Sequence, residues 1–284
     1  MDWNNSRVLI TGAASGIGAC AAKRLAALGS VVGMVDIDAE RLASVLAECQ
    51  SANPRCTSWN ADLGDLDLAE QVALEAWDTI GPIDVLINNA AMPSRGRVTE
   101  VPLHTLEQVM RVNFLAPVQM TVAILPGMLR RHSGTIVNVG GIAGRIGSPG
   151  MSTEVASEFA LCGWTESIAL DLWNSGVRVR LINPGPIDTE YWLNPIHAQE
   201  TYDGPLVPVS EAVDVLLDAI GADAFECFIP PEMQTAVNWK NRAIDEFMST
   251  LVTMLTPEAA EPREWACAES WEHSTRLRLS GPAS

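Results

Sequence analysis

The chain has 284 residues, 48% of them hydrophobic, with 35 acidic against 18 basic side chains and a formal net charge of −17. That length suits one large domain or two small ones with a sizeable core, and the charge argues against nucleic acid or an anionic membrane as partner, since both would repel it. The six cysteines, at 20, 49, 56, 162, 227 and 267, form no CxxC or Cys/His cluster, so neither a zinc or other metal site nor a disulfide framework is expected.

The opening MDWNNSRVLI lacks the basic-then-apolar pattern of a signal peptide. No run of about 18 apolar residues suggests a membrane span, and a reducing cytoplasm is the expected location. RVLIT (7–11) reads as a first strand, followed by the helical periodicity of IGACAAKRLAAL. SVVGMVDID (30–38) is a second strand, followed by AERLASVLAECQ. CTSWNAD and IDVLINNA are a third and fourth, GTIVNVGG (134–141) a fifth, VRVRLINPG (177–185) a sixth and ECFIPP a candidate seventh. Long helical patterns lie between most of them, notably over 103–131 and about 154–174. Strands alternating with helices predict an α/β fold with a doubly wound parallel sheet of about seven strands. Residues 1–230 read as one domain. Residues 231–284 read as a C-terminal extension, with NWKNRAIDEFMSTLVTML as a helix and then a Pro/Glu-rich tail carrying Trp265 and Trp271.

TGAASGIG (11–18) follows the first strand and opens a helix. Gly12 allows a tight turn, and Gly16 and Gly18, with Ser15 and Ile17 in the same loop, let a diphosphate approach backbone N–H groups and the helix N-terminus. Asp36 ends the second strand, where an acid hydrogen-bonds an adenosine ribose 2′-hydroxyl and repels a 2′-phosphate. No Arg or Lys stands in GAAS or just after Asp36, so NAD is expected over NADP.

Taken in order, TGAASGIG, NAD (60–62), NNAA (88–91), Asn113 in RVNFLAP, GTIVNV and NPGPIDT (183–189) resemble the motifs of the short-chain dehydrogenase/reductase family. The resemblance implies a single Rossmann-type domain binding a nicotinamide cofactor above the strand ends. It places Asp62 and Leu63 at the adenine, and Asn89, Ala90 and Ala91 beside the cofactor. It places Pro184, Gly185, Ile187 and Thr189 at the nicotinamide carboxamide. Ala91 stands where the family usually has Gly. The larger departure is in the proton-handling set. The family ends its fifth strand with Ser, follows it thirteen residues later with Tyr, and four later with Lys; an Asn on the preceding helix completes the group. Here those positions are Gly141, Glu154 and Glu158, so that EVASE replaces Y-x-x-x-K, and only Asn113 is retained.

The resemblance turns the two glutamates toward the cofactor. A carboxyl can replace a phenol as acid/base if its pKa is brought near working pH. Burial and mutual repulsion raise at least one pKa of such a pair, while the helix N-terminus opposes this. Glu158 is also a candidate to accept hydrogen bonds from ribose hydroxyls. Tyr191 and His197, both near the substrate loop, are further proton-transfer candidates. The expected function is an NAD(H)-dependent oxidoreductase acting on an alcohol/ketone pair, with Glu154 as variant acid/base. Two alternatives stand: a non-redox enzyme of lyase or cyclase type, or an inactive NAD-binding protein. Residues 190–210 are expected to form a substrate lid, whose Trp192 and Leu193 suggest an apolar or bulky small-molecule substrate. By family resemblance the chain forms a homodimer or homotetramer through the helices near 103–131 and 154–174.

Overall fold

The computed structural model describes residues 2–193 and 204–255, without the side chains of Trp192, Leu193, Met254 and Leu255. The chain separates into two compact units, Met1–Val237 and Asn238–Ser284. The first begins β1 (Arg7–Thr11), α1 (Gly16–Ala27), β2 (Val31–Asp36), α2 (Ala39–Ala52), β3 (Thr57–Asn60), α3 (Leu66–Ile80) and β4 (Val85–Asn88). Next come α4 (Leu103–Met110), a π-helical turn (Arg111–Leu115), α5 (Ala116–Arg131), β5 (Gly134–Val139), a 3₁₀ turn (Ile142–Gly144), α6 (Ser152–Asp171) and β6 (Val177–Pro184). It ends with β7 (Ile187–Asp188), a 3₁₀ turn (Glu190–Leu193), β8 (Val207–Pro208), α7 (Val209–Gly221), β9 (Glu226–Ile229) and the start of α8 (Met233–Arg242).

Seven strands form one sheet in the order β3-β2-β1-β4-β5-β6-β9, every neighbouring pair parallel. The strand runs are apolar because both faces are covered. Alternation along β1 shows this: Val8 and Ile10 pack into the layer under α1, α2 and α7, while Leu9 faces the layer under α3 and α5. Strand order reverses between β1 and β4, the crevice where such sheets hold ligands.

The predicted helix over 103–131 is one helical run interrupted by a π turn, which carries Asn113. It is long and apolar enough to cross a membrane by length and composition. In this fold Val109, Met120, Ile124 and Met128 on it are buried. The predicted C-terminal helix breaks at Ala243 into α8 and α9 (Ile244–Leu255). Within the second unit Trp239 meets Phe247 edge-on, ring centres 5.1 Å apart. His197, Tyr202, the middle of the expected lid (194–203) and the tail with Trp265 and Trp271 lie outside the described residues.

Candidate active site

The loop between β1 and α1 is held from below. Thr11 Oγ1 accepts the backbone N–H groups of Asn89 and Ala90, each at 3.0 Å. Asn89 Nδ2 donates to the carbonyls of Thr11 and Gly12 at 3.0 and 3.2 Å. Gly12 and Gly16 have φ of +66° and +51°, and a β-carbon on Gly18 would collide with the Gly12 carbonyl oxygen. Only glycines build this cradle. Its outward N–H, on Gly16, already donates to a carboxylate, Oε2 of Glu190, at 3.1 Å. The donor set therefore suits an anion such as a diphosphate.

Asp36 is half-buried at the end of β2. Its two oxygens accept the N–H groups of Ala14 at 2.8 Å and Asp38 at 2.9 Å. A cavity of about 340 Å³ is lined by Ala14, whose N–H Asp36 accepts, and by Ser15, Lys23, Arg41, Glu48 and Glu190 among others. Arg41, five residues past Asp36, is the cation the sequence reading did not place here; its guanidinium lies 3.4 Å from Asp38. Asp62 accepts the N–H of Gly64 at 2.8 Å, and the Leu63 side chain belongs to the core. Pro184 ends β6, Gly185 N–H donates to the Ile229 carbonyl at 2.7 Å, and Ile187 is buried. This brings Thr189 over the cradle, where a β-carbon on Gly16 would meet its methyl at 3.4 Å.

The first turns of α6 carry the two glutamates inward; Glu154 is 6% and Glu158 8% exposed. Buried polar groups fix the helix further along. Asn88 Nδ2 donates to Asn138 Oδ1 at 2.8 Å, and Asn138 Nδ2 to Thr165 Oγ1 at 2.8 Å. The Thr165 hydroxyl donates to the Leu161 carbonyl at 2.6 Å. Asn113 is engaged close by. Its Oδ1 accepts the Met92 N–H at 2.7 Å, and its Nδ2 donates to Met92 O at 3.2 Å and Ser157 Oγ at 3.1 Å.

The carboxyls differ in their surroundings. Glu154 Oε2 accepts the Ser94 N–H at 3.1 Å, and its Oε1 accepts the Tyr191 hydroxyl at 3.3 Å. That hydroxyl also accepts from Arg95 Nη2 at 3.1 Å. Burial raises the Glu154 pKa, while the Ser94 N–H, the Arg95 charge and the Tyr191 hydroxyl oppose the rise. Glu158 is pushed up to about 8 by burial and by the charge on Glu154, against a single N–H from Gly144. Its Oε2 has no hydrogen-bond partner among the described residues. The charge on Glu154 is one of the causes that raise Glu158, so the two carboxyls titrate as a pair. A β-carbon on Gly141 would lie 2.8 Å from Glu158 Oε2, so the absent side chain at 141 is what lets Glu158 lie there.

The sequence reading did not place Ser94 and Arg95, which lie in the irregular loop after β4, or Glu190. The pattern MPSRGR held two cations near the strand ends, but nothing in it aims one at α6.

A family model described as short chain dehydrogenase matches residues 6–199. One curated relative, 1-deoxy-11-beta-hydroxypentalenate dehydrogenase of Streptomyces exfoliatus, is 31% identical over 231 residues, covering 80% of this chain and 84% of the relative. Galactitol 2-dehydrogenase of Agrobacterium fabrum is 34% identical over 193 residues, covering 68% and 74%. A solved short chain dehydrogenase from Burkholderia cenocepacia, in complex with NADP, has a TM-score of 0.76 at 28% identity, covering 89% of this chain and all of its own. A short chain dehydrogenase/reductase from Burkholderia phymatum, in complex with NAD, has a TM-score of 0.79 at 22% identity, covering 86% and 96%, a likeness of fold alone.

Proposed function

The chain belongs to the short-chain dehydrogenase/reductase family, and from that premise we propose an NAD(H)-dependent oxidoreductase acting on an alcohol/ketone pair, with Glu154 as its acid/base. A nicotinamide cofactor supplies or accepts the hydride. The chain's own residues do the rest. Gly12, Ser15, Gly16, Ile17 and Gly18 form a cradle shaped for a diphosphate. Asn89, Ala90 and Ala91 line its sheet side, with Asp62 and Leu63 toward the adenine. Pro184, Gly185, Ile187 and Thr189 close it from the β6 end. The Asp36 carboxylate at the β2 terminus favours a ribose with a free 2′-hydroxyl. The two cations on that cavity are both matched by acids, Arg41 by Asp38 and Lys23 by Glu48, which supports NAD over NADP.

The observation that carries the acid/base role is the buried Glu154 carboxyl, joined to a phenol and a guanidinium. Its pKa is raised toward the range where a carboxyl both takes and gives a proton. Glu154 takes the hydroxyl proton of an alcohol or returns it to a ketone oxygen. Glu158, neutral beside it, adds no competing charge. Asn113, tied to Met92 and Ser157, holds the loop and helix around the pair. Exposed Val122 on α5, Phe159 and Leu170 on α6 and Trp173 just past the end of α6 support a homo-oligomer built through those helices.

The test is NADH binding together with turnover of secondary alcohols and ketones by the wild type and Glu154→Gln. The variant should bind NADH as the wild type does and lose turnover by roughly 10²–10⁴-fold. Retained turnover would remove Glu154 from the role, and a wild type that does not bind NADH would overturn the whole reading.

A further inference from the structure

Glu190 has no part in the function proposed above, yet it occupies the anion-binding end of α1. Ser15, the N-cap of that helix, makes no side-chain cap, and the first turn holds no acid. The capping carboxylate comes instead from far along the chain: Glu190 Oε2 accepts the Gly16 N–H at 3.1 Å. That N–H lies at the positive end of the helix, the group a diphosphate in the cradle would need. Glu190 also lines the cavity at Ala14 and Ser15. The next residue, Tyr191, holds Glu154 by its hydroxyl, and its N–H donates to Thr189 Oγ1 at 3.4 Å. Two consecutive side chains thus tie the cofactor cradle to the buried carboxyl on α6.

We propose that Glu190 keeps the diphosphate seat in the cofactor-free protein, competes with the cofactor for the Gly16 N–H, and so sets cofactor affinity. This rests on the nicotinamide reading above. The structure has an alternative role for the same contact, a plain helix cap, and the two differ in what removing the carboxylate does. A cap lost lowers stability and leaves cofactor binding equal or weaker; a competitor lost strengthens it.

The experiment is calorimetric titration of NADH into wild type, Glu190→Ala, Glu190→Gln and Asp188→Asn. The last removes a neighbouring exposed acid that touches nothing in the cradle. Both Glu190 variants should bind NADH roughly three- to tenfold tighter than wild type, with a smaller gain for Asp188→Asn. Binding by the Glu190 variants where wild type shows none gives the same support. Equal or weaker affinity in the Glu190 variants overturns the proposal, as does an equal gain from Asp188→Asn, which would reduce the effect to general charge. NADH binding by none of the four overturns the cofactor reading along with it; binding that ignores Glu190 overturns this proposal alone.

Discussion

Gly141 and Glu158 share one space: the carboxyl of Glu158 fills the room that a side chain at 141 would take, with Oε2 2.8 Å from the β-carbon position. A hydroxyl-bearing side chain does not fit at 141 while Glu158 stays. Gly141→Ser should destabilise the protein by about 1–3 kcal/mol through overpacking. In the Gly141→Ser/Glu158→Ala pair most of that loss should disappear, a coupling of about 0.5–3 kcal/mol between touching sites. Urea denaturation of the four proteins measures it, and strict additivity would show that the two positions do not compete.

Glu158 makes stability depend on pH in a direction opposite to most carboxylates. Its pKa is about 8 in the folded protein against an ordinary 4.5. Between those values the folded state holds a proton that the unfolded chain has released, so stability is full below 4.5 and falls as pH rises toward about 8. Glu158→Gln should flatten that fall and gain on the order of 1–3 kcal/mol at the alkaline end, where the wild type holds a buried charge. Thermal melts across this range check it; parallel curves for the two proteins would mean that Glu158 is ionised when folded.

Tyr191→Phe should raise the pKa of Glu154 further. The lost hydroxyl donates to the carboxylate and favours its charged form. The acidic limb of the pH–rate profile, or the carboxyl carbon shift of Glu154 by NMR, should move to higher pH. An unmoved limb would mean that the phenol only packs the loop.

Cofactor choice should follow Asp36. Asp36→Asn keeps one oxygen, which holds one of the Ala14 and Asp38 N–H groups and gives up the other, and ends the repulsion of a 2′-phosphate. The ratio of NADPH to NADH affinity should rise by about tenfold or more, taking one charge contact as roughly 1–3 kcal/mol. Arg41→Ala in the same background should reverse part of that gain, and fluorescence titration with both nucleotides reads each step.

The sheet was legible because buried parallel strands are β-branched runs, and 7–11, 134–139 and 177–184 could hardly be anything else. The glycine loop was legible because its parts are consecutive: strand, turn and helix start follow within one short stretch. That Glu154 and Glu158 turn inward together on α6 was legible from motif spacing. The surroundings of those glutamates were not. Tyr191 and Glu154 are 37 residues apart, Arg95 and Tyr191 96, and Gly16 and Glu190 174. Such contacts exist only once the sheet has set its strand ends side by side, and no local periodicity encodes them. The π turn at 111–115 escaped for another reason, since one extra residue in a helical run leaves composition unchanged.

Asn88, Asn138 and Thr165 fasten α6 to the sheet well away from its first turn, by amides and a hydroxyl with no room to slide. The address of a residue at 154 or 158 is therefore guaranteed by others, whatever that residue is. The chemistry at the helix tip can be rewritten without renegotiating the architecture, and two buried acids sit there on an intact frame. A designer inherits the same freedom: new reactive groups can be trialled at these two positions on a mount that is already level.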